Sequence, residues 1–123
     1  AQHNEQAVRQ YLNNMQALSW QEKASQGIHA LLVNSEPTAL KIAQMYNISE
    51  RSLSRYLHLE GTGFRSLLQL KRQELAHHYL VNTQMAITTL ADTLGYSSVS
   101  NFSRSFSQWN GMSPANYRLQ FTL

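Results

Sequence analysis

Two short stretches of this chain carry the side chains best suited to polar recognition. The first is Arg51-Ser52-Leu53-Ser54-Arg55 and the second is Val99-Ser100-Asn101-Phe102-Ser103-Arg104. An arginine presents two parallel donors that match guanine O6 and N7, while a valine touches only a thymine methyl. Hydroxyls and amides serve base edges or phosphate oxygens. At helical spacing Leu53 and Leu57 fall on one inward stripe, and Val99, Phe102 and Phe106 on another. Arg51, Ser54 and Arg55, with His58 beside them, then point outward in the first stretch. Ser100, Ser103 and Arg104 do so in the second, next to Asn101, which is a groove contact or a solvated residue. The competing account is an ordinary solvated surface, with Arg55 and Arg104 paired to Glu60 or Asp92.

The elements that must position these side chains repeat. Thr88-Thr89-Leu90-Ala91-Asp92-Thr93-Leu94 reads as a support helix, Gly95 as a turn residue at positive φ, and Ser97 or Ser98 as the cap of the next helix. Ala91 is small enough for a second helix to cross closely. The same order occurs upstream: Ala43 corresponds to Ala91, and Asn47, which tolerates the left-handed region, to Gly95. Ser49 caps, and Leu53-Ser54-Arg55-x-Leu57 matches Phe102-Ser103-Arg104-x-Phe106. Ala43 and Ala91 lie 48 positions apart, and Leu53 and Phe102 lie 49 apart, so the second turn holds one extra residue. Each copy is a helix-turn-helix.

One helix-turn-helix is a common pattern. Two at this spacing, followed by Gly111-Met112-Ser113-Pro114-Ala115-Asn116-Tyr117-Arg118, are far more specific. From about Ser35 to Arg118 the chain resembles the DNA-binding domain of the AraC/XylS family of bacterial transcription regulators. The resemblance implies an all-α fold with two helix-turn-helix subdomains joined by a long linker helix, about seven helices in all. It implies sequence-specific double-stranded DNA as partner, with two recognition helices in successive major-groove segments. Arg51, Ser54, Arg55, Val99, Ser100, Asn101, Ser103 and Arg104 match the family's groove-facing positions. Thr38, Lys41, Thr88 and Thr89, near the support-helix N-termini, are candidate phosphate contacts. Arg72 matches an arginine of the family pattern and either braces the two halves or touches DNA. The family further implies contact with RNA polymerase, an effector or dimerisation domain on a missing N-terminal part, and a cytoplasmic location. A helical module that uses the same folds for protein contacts is the alternative.

The expected organisation is a linker or N-terminal helix over 1–18 and the DNA-binding domain over 19–123. Within it the first helix-turn-helix covers about 37–60, the linker helix 64–81 and the second helix-turn-helix 88–110. Val8, Tyr11, Leu12 and Met15 suggest a helix near Glu5 to Ala17. Ser19 looks like the cap of a helix from Trp20 to about Val33, which Gly27 weakens by roughly 1 kcal/mol against alanine. Pro37 fits the first turn of the helix that runs to Met45. The linker helix, about 18 residues at 1.5 Å each, is roughly 27 Å long, against about 34 Å for one turn of DNA. A last helix from Ala115 should pack Tyr117 and Phe121 on the core.

Composition narrows the alternatives. With 123 residues this is one domain, or two very small ones sharing a helix. Net charge is +3, and from Thr38 to Arg118 eight cations face four anions, a balance that permits polyanion binding without demanding it. Cysteine is absent, so there is no disulfide or thiolate metal site. No apolar run approaches membrane-spanning length, and no signal peptide is visible. Glu74-Leu75-Ala76-His77 has the spacing of a bundle metal motif but occurs once, where a di-iron site needs it twice with two further glutamates. No nucleophile elbow is present. No catalytic residue, metal or cofactor is expected. Trp20 and Trp109 lie singly at helical spacing and read as core rather than as a base-stacking platform. The chain lacks an initiator methionine and starts within a helical pattern, so it reads as an excised domain.

Overall fold

The computed structural model describes residues 5–10 and 18–122. Residues 5–10 are helical and exposed (α1); the rest of the helix expected to Ala17 lies outside the described residues. Seven helices follow: α2 (Trp20–Leu32), α3 (Ala39–Met45), α4 (Glu50–Leu59), α5 (Phe64–Asn82), α6 (Ile87–Thr93), α7 (Val99–Asn110) and α8 (Pro114–Phe121). Among the described residues there is no strand, so the chain is all-α, with two helix-turn-helix units on either side of α5.

Serine and threonine caps start most of these helices. Ser19, Ser49, Ser98 and Ser113 each accept a hydrogen bond from the backbone N–H three residues on, a cap worth about 1 kcal/mol. Ser98, not Ser97, caps α7. The two turns adopt the expected left-handed conformation, with φ of 55° at Asn47 and 85° at Gly95. Pro37 departs from expectation. The cap of α3 is Thr38, whose Oγ1 accepts from the Lys41 N–H, so α3 begins at Ala39 and Pro37 is buried ahead of it. A hydroxyl at the right distance outcompetes a proline start. The support helix α6 starts one residue earlier than expected, at Ile87, with no side-chain cap on Ala86.

Two cores divide the molecule. The first joins Ala24, Ile28 and Leu32 of α2, Ile42 and Ala43 of α3, Leu53 and Leu57 of α4, and Leu67 of α5. The second joins Ala76 and Leu80 of α5, Leu90 and Ala91 of α6, Leu94 in the turn, and Phe102 and Phe106 of α7. Leu75 packs against both, so α5 is a shared rod. Its 19 residues span about 28 Å. Gly27, which the sequence suggests is a mere cost to α2, is buried where α2 meets α3: a Cβ there would lie 2.8 Å from Ile42 Cδ1. Phe121 also differs from expectation. It meets Tyr117 at a tilt of 39° with ring centroids 4.4 Å apart, yet stays 49% exposed at the end of α8.

Candidate nucleic-acid interface

The inward stripes of α4 and α7 decide what their outer faces show. Leu53 and Leu57 on α4, and Phe102 and Phe106 on α7, are essentially sealed. Arg51, Ser54, Arg55 and His58 are therefore exposed on one side of α4, where with Glu50 and Ser52 they line an open groove. Ser100, Asn101 and Arg104 are exposed on α7. Two members of the expected set sit deeper. Ser103 is half-buried, and Val99 is half-buried against the second core, as the stripe that includes it requires.

The cations on these faces keep their charge available. Among the described residues the one side-chain ion pair is Lys71–Glu74, at 3.1 Å. The pairs Arg55–Glu60 and Arg104–Asp92 do not form. Glu60 instead accepts from the Trp20 N–H at 2.8 Å and the Gln21 N–H at 2.9 Å, at the start of α2. The Arg55 guanidinium lies 5.4 Å from the Tyr56 ring centroid. Asn101 has an internal partner although exposed: its Nδ2 donates to Ser97 Oγ at 2.5 Å.

Around the support helices the picture is mixed. Thr38 Oγ1 is engaged as the α3 cap, and Lys41 Nζ donates to the Glu36 carbonyl at 2.9 Å. Thr88 and Thr89 are exposed in the first turn of α6. Behind the second helix-turn-helix, Arg72 takes the bracing role. Its Nε donates to the Leu94 carbonyl at 2.9 Å, and its guanidinium lies 5.0 Å from the Tyr96 ring. Burial pushes the Tyr96 phenol above its ordinary pKa, opposed by the Arg72 charge and a hydrogen bond with Ser105. Arg118 of α8 plays a parallel part, donating from Nε to Leu80 O at 3.1 Å and from Nη2 to Tyr79 O at 3.3 Å.

Sequence reasoning misses Glu60 and Arg118 as braces because their partners lie about 40 positions away. The arginine closing the G-x-S-P-x-x-Y-R pattern was the available signal for Arg118; Glu60 has none. The Glu74-x-x-His77 pair is split between partners: Glu74 takes Lys71, and the His77 ring nitrogen meets the Tyr117 hydroxyl at 2.5 Å. Trp20 is half-buried, stacked on Tyr56 with centroids 4.8 Å apart, and Trp109 packs against the second core. No described helix is long and apolar enough to cross a membrane.

Comparison with known proteins bears on this geometry. A family profile described as a helix-turn-helix domain matches residues 42–120. The ornithine utilization regulator of Pseudomonas aeruginosa is 38% identical over 82 residues, which cover 67% of this chain and 24% of that protein. The chain thus spans about a quarter of that curated relative. Among solved structures, a DNA-binding transcriptional dual regulator from Escherichia coli K-12 superposes with a TM-score of 0.77 at 27% identity, covering 84% of this chain and 92% of that one. The C-terminal domain of AraT, a response regulator from Geobacillus stearothermophilus, gives 0.74 at 31% identity, covering 86% and 88%. With the profile running from α3 to α8 over both helix-turn-helix units, the chain belongs to the AraC/XylS family of helix-turn-helix transcription regulators.

Proposed function

We propose that this chain binds double-stranded DNA in a sequence-specific manner, as part of a bacterial transcription regulator, with α4 and α7 in successive major-groove segments. The observation that carries the reading is the pair of outward faces. Each recognition helix exposes a serine and at least one arginine free of carboxylate partners among the described residues. Arg51, Ser54 and Arg55 on one face and Ser100, Asn101 and Arg104 on the other reach base edges. Ser103 and Val99, half-buried, contribute only at the rim, Val99 through a thymine methyl. Thr88, Thr89 and, less directly, Thr38 and Lys41 lie toward the phosphates. Because the faces differ in composition, one chain reads a site without internal symmetry.

In this reading, contact with RNA polymerase and an effector or dimerisation domain belong to the whole protein, which works in the cytoplasm and performs no catalysis. Selection from a random duplex library tests the proposal. The expected result is enrichment of one asymmetric sequence, with affinity falling steeply as salt rises, since phosphate contacts release counterions. Failure to enrich any sequence, with no salt-dependent retention on duplex, overturns it.

A further inference from the structure

Glu60 lies outside both outer faces, one residue beyond the end of α4. Its two carboxylate oxygens are both used: Oε2 accepts from the Trp20 N–H and Oε1 from the Gln21 N–H. The side chain is therefore fixed in direction as well as in place. A carboxylate on the first N–H groups of a helix also faces the positive end of its dipole. A second tie runs beside the first. The Trp20 ring stacks on Tyr56, one turn back along α4, at 4.8 Å and 24°, and meets Tyr46 edge-on at 6.0 Å. Tyr46 in turn donates its hydroxyl to the Lys23 carbonyl at 2.8 Å. The start of α2 is thus joined to α4 at positions 56 and 60, next to Arg55.

Among the described residues the second recognition helix, α7, has no such clamp. At the end of α7, Asn110 Nδ2 donates to the carbonyl of Phe106 in its own helix. Helix α5, which supports the second unit as α2 supports the first, starts at Phe64, and its cap residue Gly63 gives no side-chain cap. Among the described residues, only α4 has its C-terminal end anchored by its own carboxylate on the first N–H groups of a neighbouring helix.

We propose that Glu60 is a positioning residue for the first reader: it holds the end of α4 on α2, and so sets how Arg51, Ser54 and Arg55 are presented, without touching DNA itself. The proposal rests on the DNA-binding reading above. The test uses the 123-residue chain. A consensus is selected from a random duplex library, and Arg55→Ala and Arg104→Ala assign its base pairs to α4 or α7. Glu60→Ala and Glu60→Gln are then measured against single-base variants of the site, with helicity followed by circular dichroism. Glu60→Ala should lose about tenfold in discrimination, equivalent to about 1.4 kcal/mol, at the α4 base pairs only. Glu60→Gln, which keeps the volume and one acceptor oxygen, should fall between it and the original chain. Equal losses at both sets would reveal a general structural role and overturn the proposal, as would full discrimination in both variants. Should Glu60→Ala fail to fold, the same comparison with Glu60→Gln decides. An original chain that enriches no sequence overturns the DNA reading and this proposal with it; one that enriches while the variants discriminate fully overturns this proposal alone.

Discussion

In the first unit an acid holds a helix by its beginning; in the second, bases hold helices by their ends. Glu60 accepts from the opening N–H groups of α2, whereas Arg72 donates to Leu94 O just past α6, and Arg118 to Tyr79 O and Leu80 O in the last turn of α5. Each choice complements the local helix dipole. The cores differ as well. The fully enclosed side chains of the first are all aliphatic, Ile28, Ile42, Leu53 and Leu57 among them, while the second adds to its leucines a buried aromatic row, with Phe102 between Tyr96 and Phe106 and with Tyr117 on the far side of Phe106. The same helix-turn-helix geometry is thus reached through two chemistries. What the repeat preserves is shape, the small residue at the crossing and the left-handed turn, and not the contacts that hold it.

The sharpest way to probe this difference is to empty each core. Phe102 is fully buried and meets Tyr96 and Phe106 at centroid distances of 5.2 and 5.8 Å. Phe102→Ala should cost about 3–5 kcal/mol in urea unfolding, and the aliphatic Leu57→Ala about 2–5 kcal/mol. A clearly greater loss at Leu57 would mean that the buried phenylalanines do not carry the second core as the leucines carry the first.

Cutting the brace comes next. Arg72→Ala removes a charged donor from the Leu94 carbonyl and a cation from the Tyr96 ring, for an expected loss of about 1.5–3 kcal/mol. Arg72→Lys should not restore it, since an ammonium cannot reproduce the planar guanidinium. Hydrogen exchange provides the localisation: amides of α6 and α7 should open faster while those of α4 keep their protection. Equal loosening in both halves would show that α5 transmits the damage and that the units are not separately braced.

At the outer faces the comparison concerns binding. Arg55→Ala and Arg104→Ala should each weaken cognate DNA by roughly 1–3 kcal/mol, each at its own part of the site. Gel-shift titration on cognate and random duplexes checks this. Losses equal on both would turn these arginines into backbone contacts.

What the sequence made legible was what is local. The caps at Ser19, Ser49 and Ser98 and the turns at Asn47 and Gly95 depend on neighbours within a few residues, and all are found as expected. The exposure of Arg51, Ser54, Arg55, Ser100, Asn101 and Arg104 follows from helical periodicity alone. Misreadings arise where a distant partner decides. Gly27 reads as a helix cost until α3 is laid against it. Glu60 has no role of its own in the sequence beyond the competing account that pairs it with Arg55, until α2 arrives from 40 positions upstream. Pro37 is a closer contest, lost to the adjacent threonine, and Phe121 lies beyond the last turn that the core can cover.

The smallest expected effect separates the two turns. Gly95 has a φ of 85°, and a Cβ there would come within 3.2 Å of Arg72 Nη2. Gly95→Ala should cost about 1–2 kcal/mol from the left-handed backbone, with some further loss if the Arg72 brace is displaced. Asn47, at φ 55° in the first turn, already carries a side chain in that region. Asn47→Gly relieves the native strain but loosens the unfolded chain, so its net effect should stay under about 1 kcal/mol in either direction. Thermal unfolding of the two variants side by side measures the contrast. The double variant Gly95→Ala with Arg72→Ala sharpens it: if the Cβ does its damage through the guanidinium, the two losses will not add, whereas strain confined to the backbone leaves them additive.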